Sequence, residues 1–407
     1  MSFRPVPFGR VRRALLALAV GGFAIGNSEF LMLGLLPQVA GSLHVSIPSA
    51  GRLISAYALG VVVGAPLLTA ASVRFPRKHV LVTLMAWYAA ANLLSAAAPT
   101  FALALLARFV TGLPHGAFFG VGSVVAGSMV DRSRATTAMS VMFSGLTVAN
   151  IVGVPISTLL GQGTSWRLVY GLIGIVAVVA TVLIALAVPF APASGDKGAL
   201  RAELQVFRTL PVWLVLGVAT LGGGGLFATF SYIAPMMTKQ AHYADSSMTW
   251  LLVLFGVGMT LGNTLGARLA DRAPTVALTG CLAVEIVVAL VFAVSTHSKP
   301  ASAVLVLLLP MTALAALPSL QGRIIALAGG APNLAAASIQ AAFNVANSIG
   351  AYLGGVVISA GFGYAAPNVV AAGLVVCGLV LAVVLVRVTR ARPDVDTVEI
   401  DSAVVSV

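Results

Sequence analysis

Charge is what this 407-residue sequence has least of: 8% of its residues are Asp, Glu, Lys or Arg, against roughly 25% in a soluble domain. With 59% hydrophobic residues and a mean hydropathy of +1.04, the composition is that of an integral membrane protein. Alternating ten-residue segments are missing, which excludes a β-barrel. Only two cysteines occur, Cys281 and Cys377, both inside apolar runs that suit packing better than a disulfide or a metal site. There is no HExxH, no GxSxG, no intramembrane Asp pair and no nucleotide-binding P-loop, so a membrane enzyme and a primary pump are both disfavoured. No cofactor is expected; the energy source would be a proton gradient.

What is present is a series of apolar runs, each able to cross about 30 Å of hydrocarbon as a helix. They fall near residues 14–37, 48–71, 79–98, 101–125, 136–160, 166–189, 211–237, 248–270, 275–294, 300–321, 333–359 and 366–387. Arg4, Arg10, Arg12 and Arg13 precede the first, but no small-residue cleavage site follows, so it reads as a mature span and not as a signal. The net charge of +12 flanks these segments instead of forming a polar face, which reports topology and not nucleic-acid binding. The N-terminal tail and the even-numbered connections carry Arg74, Arg77, Lys78, Arg132, Arg134, Lys197, Arg201, Arg208, Arg268, Arg272 and Arg323, with Arg387, Arg390 and Arg392 at the end. The opposite loops carry Arg52, Arg167, Lys239 and Lys299. By the positive-inside rule both termini are cytoplasmic. Arginine far outnumbers lysine, a pattern of GC-rich bacterial genomes, so a bacterial cytoplasmic membrane is the expected location.

The two halves repeat at a displacement of 197 to 198 residues. VANIVG at 148–153 recurs as VANSIG at 345–350, and Arg74-Phe75-Pro76 recurs as Arg272-Ala273-Pro274. Leu53, Tyr57, Gly60 and Gly64 meet Leu251, Phe255, Gly258 and Gly262. The expected fold is an all-α membrane protein of twelve transmembrane helices in two six-helix bundles, able to rock about a midplane cavity. The expected units are a bundle at 1–189, a cytoplasmic linker at 190–210, a second bundle at 211–387 and a disordered tail at 388–407.

ARFVTGLPHG at 107–116 resembles the fourth-helix motif of the major facilitator superfamily, and GLTVANIVGVP at 145–155 resembles its fifth-helix antiporter signature. RLADR at 268–272, with Asp271 and Arg272, matches the acidic-basic loop signature. The first half reads SVRFPRK at 72–78, with Val73 where aspartate is usual, which departs from an Asp-based latch. SEFLMLGLLP, SIPSAGRLISAYALGVVVGAP and GLPHGAFFGVGSVV are similar to the arabinose-efflux-permease-like branch of the drug:proton antiporters. The resemblance implies a major facilitator fold whose first and fourth helices line the central cavity.

Of eleven acidic residues only Glu29 and Glu285 fall inside spans, and Arg108 is the only Lys or Arg well inside one. An ionised group at the bilayer centre costs about 2.5–3.5 kcal/mol on insertion scales, so such residues face a cavity or a partner. Pro37 marks the expected outer end of the first span and Phe101 that of the fourth. Glu29 and Arg108 then agree in depth to within about 2 Å. Burial favours a neutral carboxyl and a nearby guanidinium favours a charged one, so alternation between the two moves a proton. Glu29 is therefore the expected proton carrier, with Arg108 its electrostatic partner. The alternative is a structural hydrogen-bonding role shared with Asn27 and Ser28.

His115 lies a heptad from Arg108 on roughly the same face and is either a relay or a satisfied polar contact. Glu285, mid-span in the ninth helix, reads as a neutral carboxyl bonded to a neighbouring helix. Asn27, Tyr57, Asn150, Tyr232, Asn344 and Asn347 are candidates to line a substrate cavity. Gly145, Gly153 and Pro155 allow the fifth helix to bend and pack closely. Arg74, Arg77 and Lys78 are interfacial anchors or gate elements. The leading expectation is a monomeric exporter of a small organic solute, a drug, sugar or metabolite, in exchange for protons. A proton-coupled importer and a non-transporting sensor of the same fold are the alternatives.

Overall fold

The computed structural model describes residues 8–131, 134–190, 206–327 and 332–390. Arg4, Arg132, Lys197, Arg201 and Arg392 lie outside the described residues, as do most of the linker expected at 190–210 and of the tail expected at 388–407. Among the described residues there is no strand, and twelve helices are long and apolar enough to cross a membrane. They are α1 (Phe8–Ser42), α2 (Ile47–Ser72), α3 (Arg77–Ala97), α4 (Phe101–Ser128), α5 (Ala135–Val148, then a π turn Ala149–Gly153, then Val154–Gly163) and α6 (Trp166–Ala187). The second half has α7 (Leu210–Phe230), α8 (Met248–Arg272), α9 (Pro274–Ser295), α10 (Lys299–Ala315 and Leu317–Leu327), α11 (Pro332–Ser359) and α12 (Ala366–Arg390).

Apolar runs become helices because hydrocarbon offers no partner to a free N–H or C=O. Three of them start at a capping hydroxyl. Ser46 accepts from the Ser49 N–H at 3.2 Å, Thr100 from Leu103 at 3.4 Å and Ser165 from Arg167 at 3.2 Å, at the heads of α2, α4 and α6. Gly361 and Gly363, at φ 88° and 80°, turn α11 into α12.

Three boundaries differ from the sequence expectation. Helix α1 does not end at Pro37 but runs on to Ser42 with the proline inside it, as α2, α4 and α10 also hold prolines inside. A missing N–H is tolerated where neighbouring helices brace the turn. Pro37 is therefore no marker of depth, but Arg108 reaches Ser28 at 3.1 Å, so the neighbouring Glu29 and Arg108 do lie at similar depth. Helix α7 stops at Phe230, and the chain breaks at Ser231 and Tyr232 before the short helix Ile233–Pro235. Helix α12 continues to Arg390, so the tail cannot begin at 388.

Within each half, the repeated glycines let two helices touch backbone to backbone. A Cβ at Gly60 or Gly64 of α2 would run into the carbonyls of Phe109 or Leu113 on α4. Their repeat partners Gly258 and Gly262 of α8 meet the carbonyls of Leu307 and Met311 on α10 in the same way. Small residues four apart are the usual means of such approach in membranes. The halves meet along two symmetry-related seams, α2 against α11 and α8 against α5. In the first, Ser55 and Ser348 each donate to the other's carbonyl at 3.1 and 3.3 Å. In the second, Gly256 packs on the backbone of Asn150 and Ile151, and Ile151 is the repeat counterpart of Ser348.

Gly64→Val should lower unfolding stability by about 1–3 kcal/mol, the usual cost of overpacking. Gly171→Ala, where a Cβ meets nothing within 4 Å, should stay within about 0.5 kcal/mol. Thermal unfolding in detergent checks both, and equal midpoints would contradict the packing account.

Candidate functional site: a buried polar cluster in the first half

Asn27, Ser28 and Glu29 are consecutive on α1, so their side chains point about 100° apart. Each therefore serves a different neighbour. Asn27 turns to α5, where its Nδ2 donates to Ser157 Oγ at 3.0 Å. Ser28 turns to α3 and α4: its hydroxyl donates to Asn92 Oδ1 at 2.7 Å and accepts from Arg108 Nη1 at 3.1 Å. Asn92 is oriented by donating from Nδ2 to the Tyr88 carbonyl at 2.8 Å. Glu29 makes no hydrogen bond or ion pair. It is 7% exposed, and its oxygens are not among the fully enclosed polar atoms.

Arg108 is 1% exposed and is the largest fully buried side chain among the described residues. Its guanidinium carbon stands 4.3 Å from the Tyr57 ring centroid and 5.3 Å from that of Tyr170. Desolvated cation–π contacts contribute about 2 kcal/mol, which offsets much of the insertion cost. Nε and Nη2 have no hydrogen-bond partner. Arg108 and Glu29 interact electrostatically but are not paired within 4.0 Å; the side chain that Arg108 binds is Ser28. Below the guanidinium, the Tyr57 hydroxyl lies 3.0 Å from His115 Nδ1 and 3.3 Å from the Tyr88 hydroxyl, which reaches the Ile25 carbonyl at 3.3 Å. His115 Nε2 is buried without a partner.

The family model of the Major Facilitator Superfamily matches residues 18–333. The chain belongs to this superfamily. It is 40% identical over 385 residues to the inner membrane transport protein YdhP of Escherichia coli (strain K12), covering 95% of this chain and 98% of that protein. It is 33% identical over 374 residues to a chloramphenicol resistance protein of Streptomyces lividans, covering 91% and 94%. Its fold is similar to the crystal structure of a bacterial homologue of the human lysosomal transporter Spinster, with a TM-score of 0.75 at 14% identity over 95% of this chain and 98% of that one. A member of this superfamily is a membrane transporter and not an enzyme.

In this major facilitator chain, four of the residues singled out in the sequence, Glu29, Arg108, His115 and Tyr57, come together with Ser28. Asn150 sits in the π turn, and a Cβ built on Gly153 would stand 2.9 Å from the Phe23 ring. A Cβ at Gly145 would run into the Ala19 carbonyl of α1. Pro155 opens the helical segment after the π turn, where its missing N–H needs no partner. Asn344 and Asn347 are buried on α11 in the other half, and Asn27, Asn150, Asn344 and Asn347 each keep a buried amide oxygen without a donor. Tyr232 is placed differently from expectation: its hydroxyl donates to the Ala351 carbonyl at 2.8 Å, wedged between Gly51 and Gly355 in the seam. Glu285 is buried as expected but has no hydrogen bond to a neighbouring helix. Arg74, Asp271 and Arg272 are exposed at helix ends, Asp271 makes no ion pair, and Arg77 and Lys78 are half-buried in the first turn of α3.

Sequence reasoning missed Tyr88, Asn92 and Tyr170. The first two stand four apart in an apolar span, and Ser95 continues the same face, a polar stripe that could have marked α3 as part of the cluster. An open depression of about 670 Å³, lined by Pro37, Ile47, Lys239 and Tyr364 among others, lies at the Ser42 end of α1 and away from this cluster.

Ser28→Ala leaves Arg108 Nη1 and the Asn92 amide oxygen without partners. Each orphaned buried group costs about 1–3 kcal/mol, so a clear fall in the unfolding midpoint of the purified protein is expected. An unchanged midpoint would mean that Ser28 does not hold the cluster.

Proposed function

We propose that this chain is a secondary active transporter of the bacterial inner membrane that exports a small organic solute in exchange for protons. Glu29 is the proton carrier, Arg108 its counter-charge and both termini are cytoplasmic. The observation that carries the reading is the separation of Glu29 from Arg108: an unpaired, almost fully buried carboxyl beside a buried guanidinium with two nitrogens that lack partners. A carboxylate formed there has a partner within a small side-chain movement, and a protonated one does not need it. The proton can thus bind and leave without an unpaired charge crossing the hydrocarbon.

Orientation rests on the excess of Lys and Arg in the even-numbered connections. On that orientation the two seams lie toward the outer side, and solute for export is loaded from the cytoplasm. The open amide oxygens of Asn27, Asn150, Asn344 and Asn347 favour a neutral or weakly cationic donor-bearing solute, since a polyanion would need more than one buried cation. The names of the relatives, a transport protein and a resistance protein, support export of a small molecule and leave its identity open. His115 completes a hydrogen-bonded path through Tyr57 to Tyr88 that can reorient with the proton on Glu29.

In proteoliposomes loaded against a panel of drugs and sugars, the wild type should move protons when, and only when, a transported solute is present. Glu29→Gln should abolish solute-dependent proton flux by more than about 100-fold while retaining solute binding, the signature of a lost coupling step and not a lost binding contact. Undiminished coupling in that variant would refute the assignment. Proton movement parallel to the solute would establish an importer.

A further inference from the structure

Glu285 is not used by the mechanism above. It lies in α9, is 0% exposed, and neither carboxyl oxygen has a hydrogen-bond partner. An ionised carboxylate in such a place is strongly disfavoured, so the acid is held in its neutral form here. A neutral acid with no acceptor for its O–H still forfeits a hydrogen bond. Packing alone would be served better by an apolar side chain of the same size.

The surroundings supply what the carboxyl lacks in this conformation. Oε1 faces α7 where its side chains vanish: Leu221 is followed by Gly222, Gly223, Gly224 and Gly225, and a Cβ built on Gly225 would stand 3.3 Å from Oε1. One turn away, Gly222, Gly223, Leu282, Ala316, Leu317 and Phe343 line a narrow crevice between α7, α9, α10 and α11. Leu282, three residues before Glu285, fills the gap at Gly222, and α10 is itself broken between Ala315 and Leu317 beside the crevice. Four consecutive glycines make α7 the easiest of these helices to bend.

Apart from Cys281, the other titratable groups on the packed elements are distant or turned outward, as the exposed Cys377 of α12 is. Cys281 is one turn earlier on α9. Arg323 of α10 is bonded to Thr275 Oγ1 at 2.6 Å, about 15 Å along α9 from Glu285. Lys299 of α10, Arg268, Asp271 and Arg272 of α8 and Arg387 of α12 stand at helix ends. Helix α7 carries no charged residue. No charged group stands near Glu285, which leaves water and the Cys281 thiol as its possible proton partners.

We infer that Glu285 is a second proton-binding site, in the second half, opened to water through the Gly222–Gly225 stretch of α7 as the transporter changes conformation. The carboxylate takes H+ from water to form the O–H bond, and returns it to water when the crevice next opens. This rests on the transport reading but not on the role given to Glu29.

Infrared spectra of the full chain in lipid vesicles test it through the C=O stretch of protonated carboxyls, titrated in H2O and D2O. The wild type and Glu29→Gln should share a band that is absent from Glu285→Gln, shifts in D2O and disappears as pH rises. A Glu285 band that neither shifts nor titrates while the protein stays folded would overturn the proposal. Gly224→Ala, whose Cβ meets Leu374 Cδ1 at 3.3 Å, should slow D2O exchange of that band about five-fold, the effect of removing one helix glycine. An unchanged rate would overturn the route through α7. If Glu285→Gln fails to fold, Glu285→Asp should displace the same band, and a band left in place would count against the site. Failure of Glu29 alone to titrate would count against the carrier assignment and leave this one standing.

Discussion

The first half of the molecule is organised around a guanidinium in oil. Arg108 cannot give up its charge, and it has no carboxylate within 4.0 Å to neutralise it. It is held by one hydrogen bond that it donates to Ser28 and by the faces of Tyr57 and Tyr170. Those contacts draw in α1, α2 and α6 around α4. Asn92 and Tyr88 bring α3 into the same network. A permanent positive charge in a dry place sets the electrical condition for every other ionisable group nearby. Glu29, one residue from Ser28, lies within its field.

The backbone sets the geometry of that cluster. Gly60 and Gly64 bring α2 and α4 backbone to backbone, which fixes the spacing of Tyr57, Arg108 and His115. Gly258 and Gly262 do the same for α8 and α10. The seams between halves are lighter: two serine hydroxyls on opposing carbonyls, a tyrosine wedged between two glycines, and backbone contacts at a π turn. Rigid halves with a separable seam are what alternating access requires. The second half carries no buried cation among its described residues, and its buried acid, Glu285, sits against glycines instead of an arginine.

Much of this was legible in the sequence, and the reasons for success and failure are physical. Twelve spans follow from hydropathy because backbone pairing in lipid permits little else, and the repeat was visible because the same helix contacts need the same small residues at Gly60 and Gly258. The prominence of Glu29 and Arg108 followed from rarity of charge. Their similar depth held, as the bond from Arg108 to Ser28 shows, although its marker did not: Pro37 was read as a terminator, whereas a braced membrane helix carries the proline inside. The pairing did not follow: the side chain that reaches Arg108 belongs to Ser28, and a shift of one residue on a helix turns a side chain by about 100°. Tyr232 was read as a cavity residue because a hydroxyl in a span invites that reading. Its partner is a backbone carbonyl 119 residues away, which no local pattern reports.

The account stands or falls on whether the acid and the guanidinium act as one unit. A double-mutant cycle of Glu29→Gln, Arg108→Gln and the double variant, scored by solute-dependent proton flux in vesicles, measures that directly. The expected result is strong non-additivity, with the double variant no more impaired than either single one. Losses that simply multiply would show two residues working independently and would contradict the mechanism.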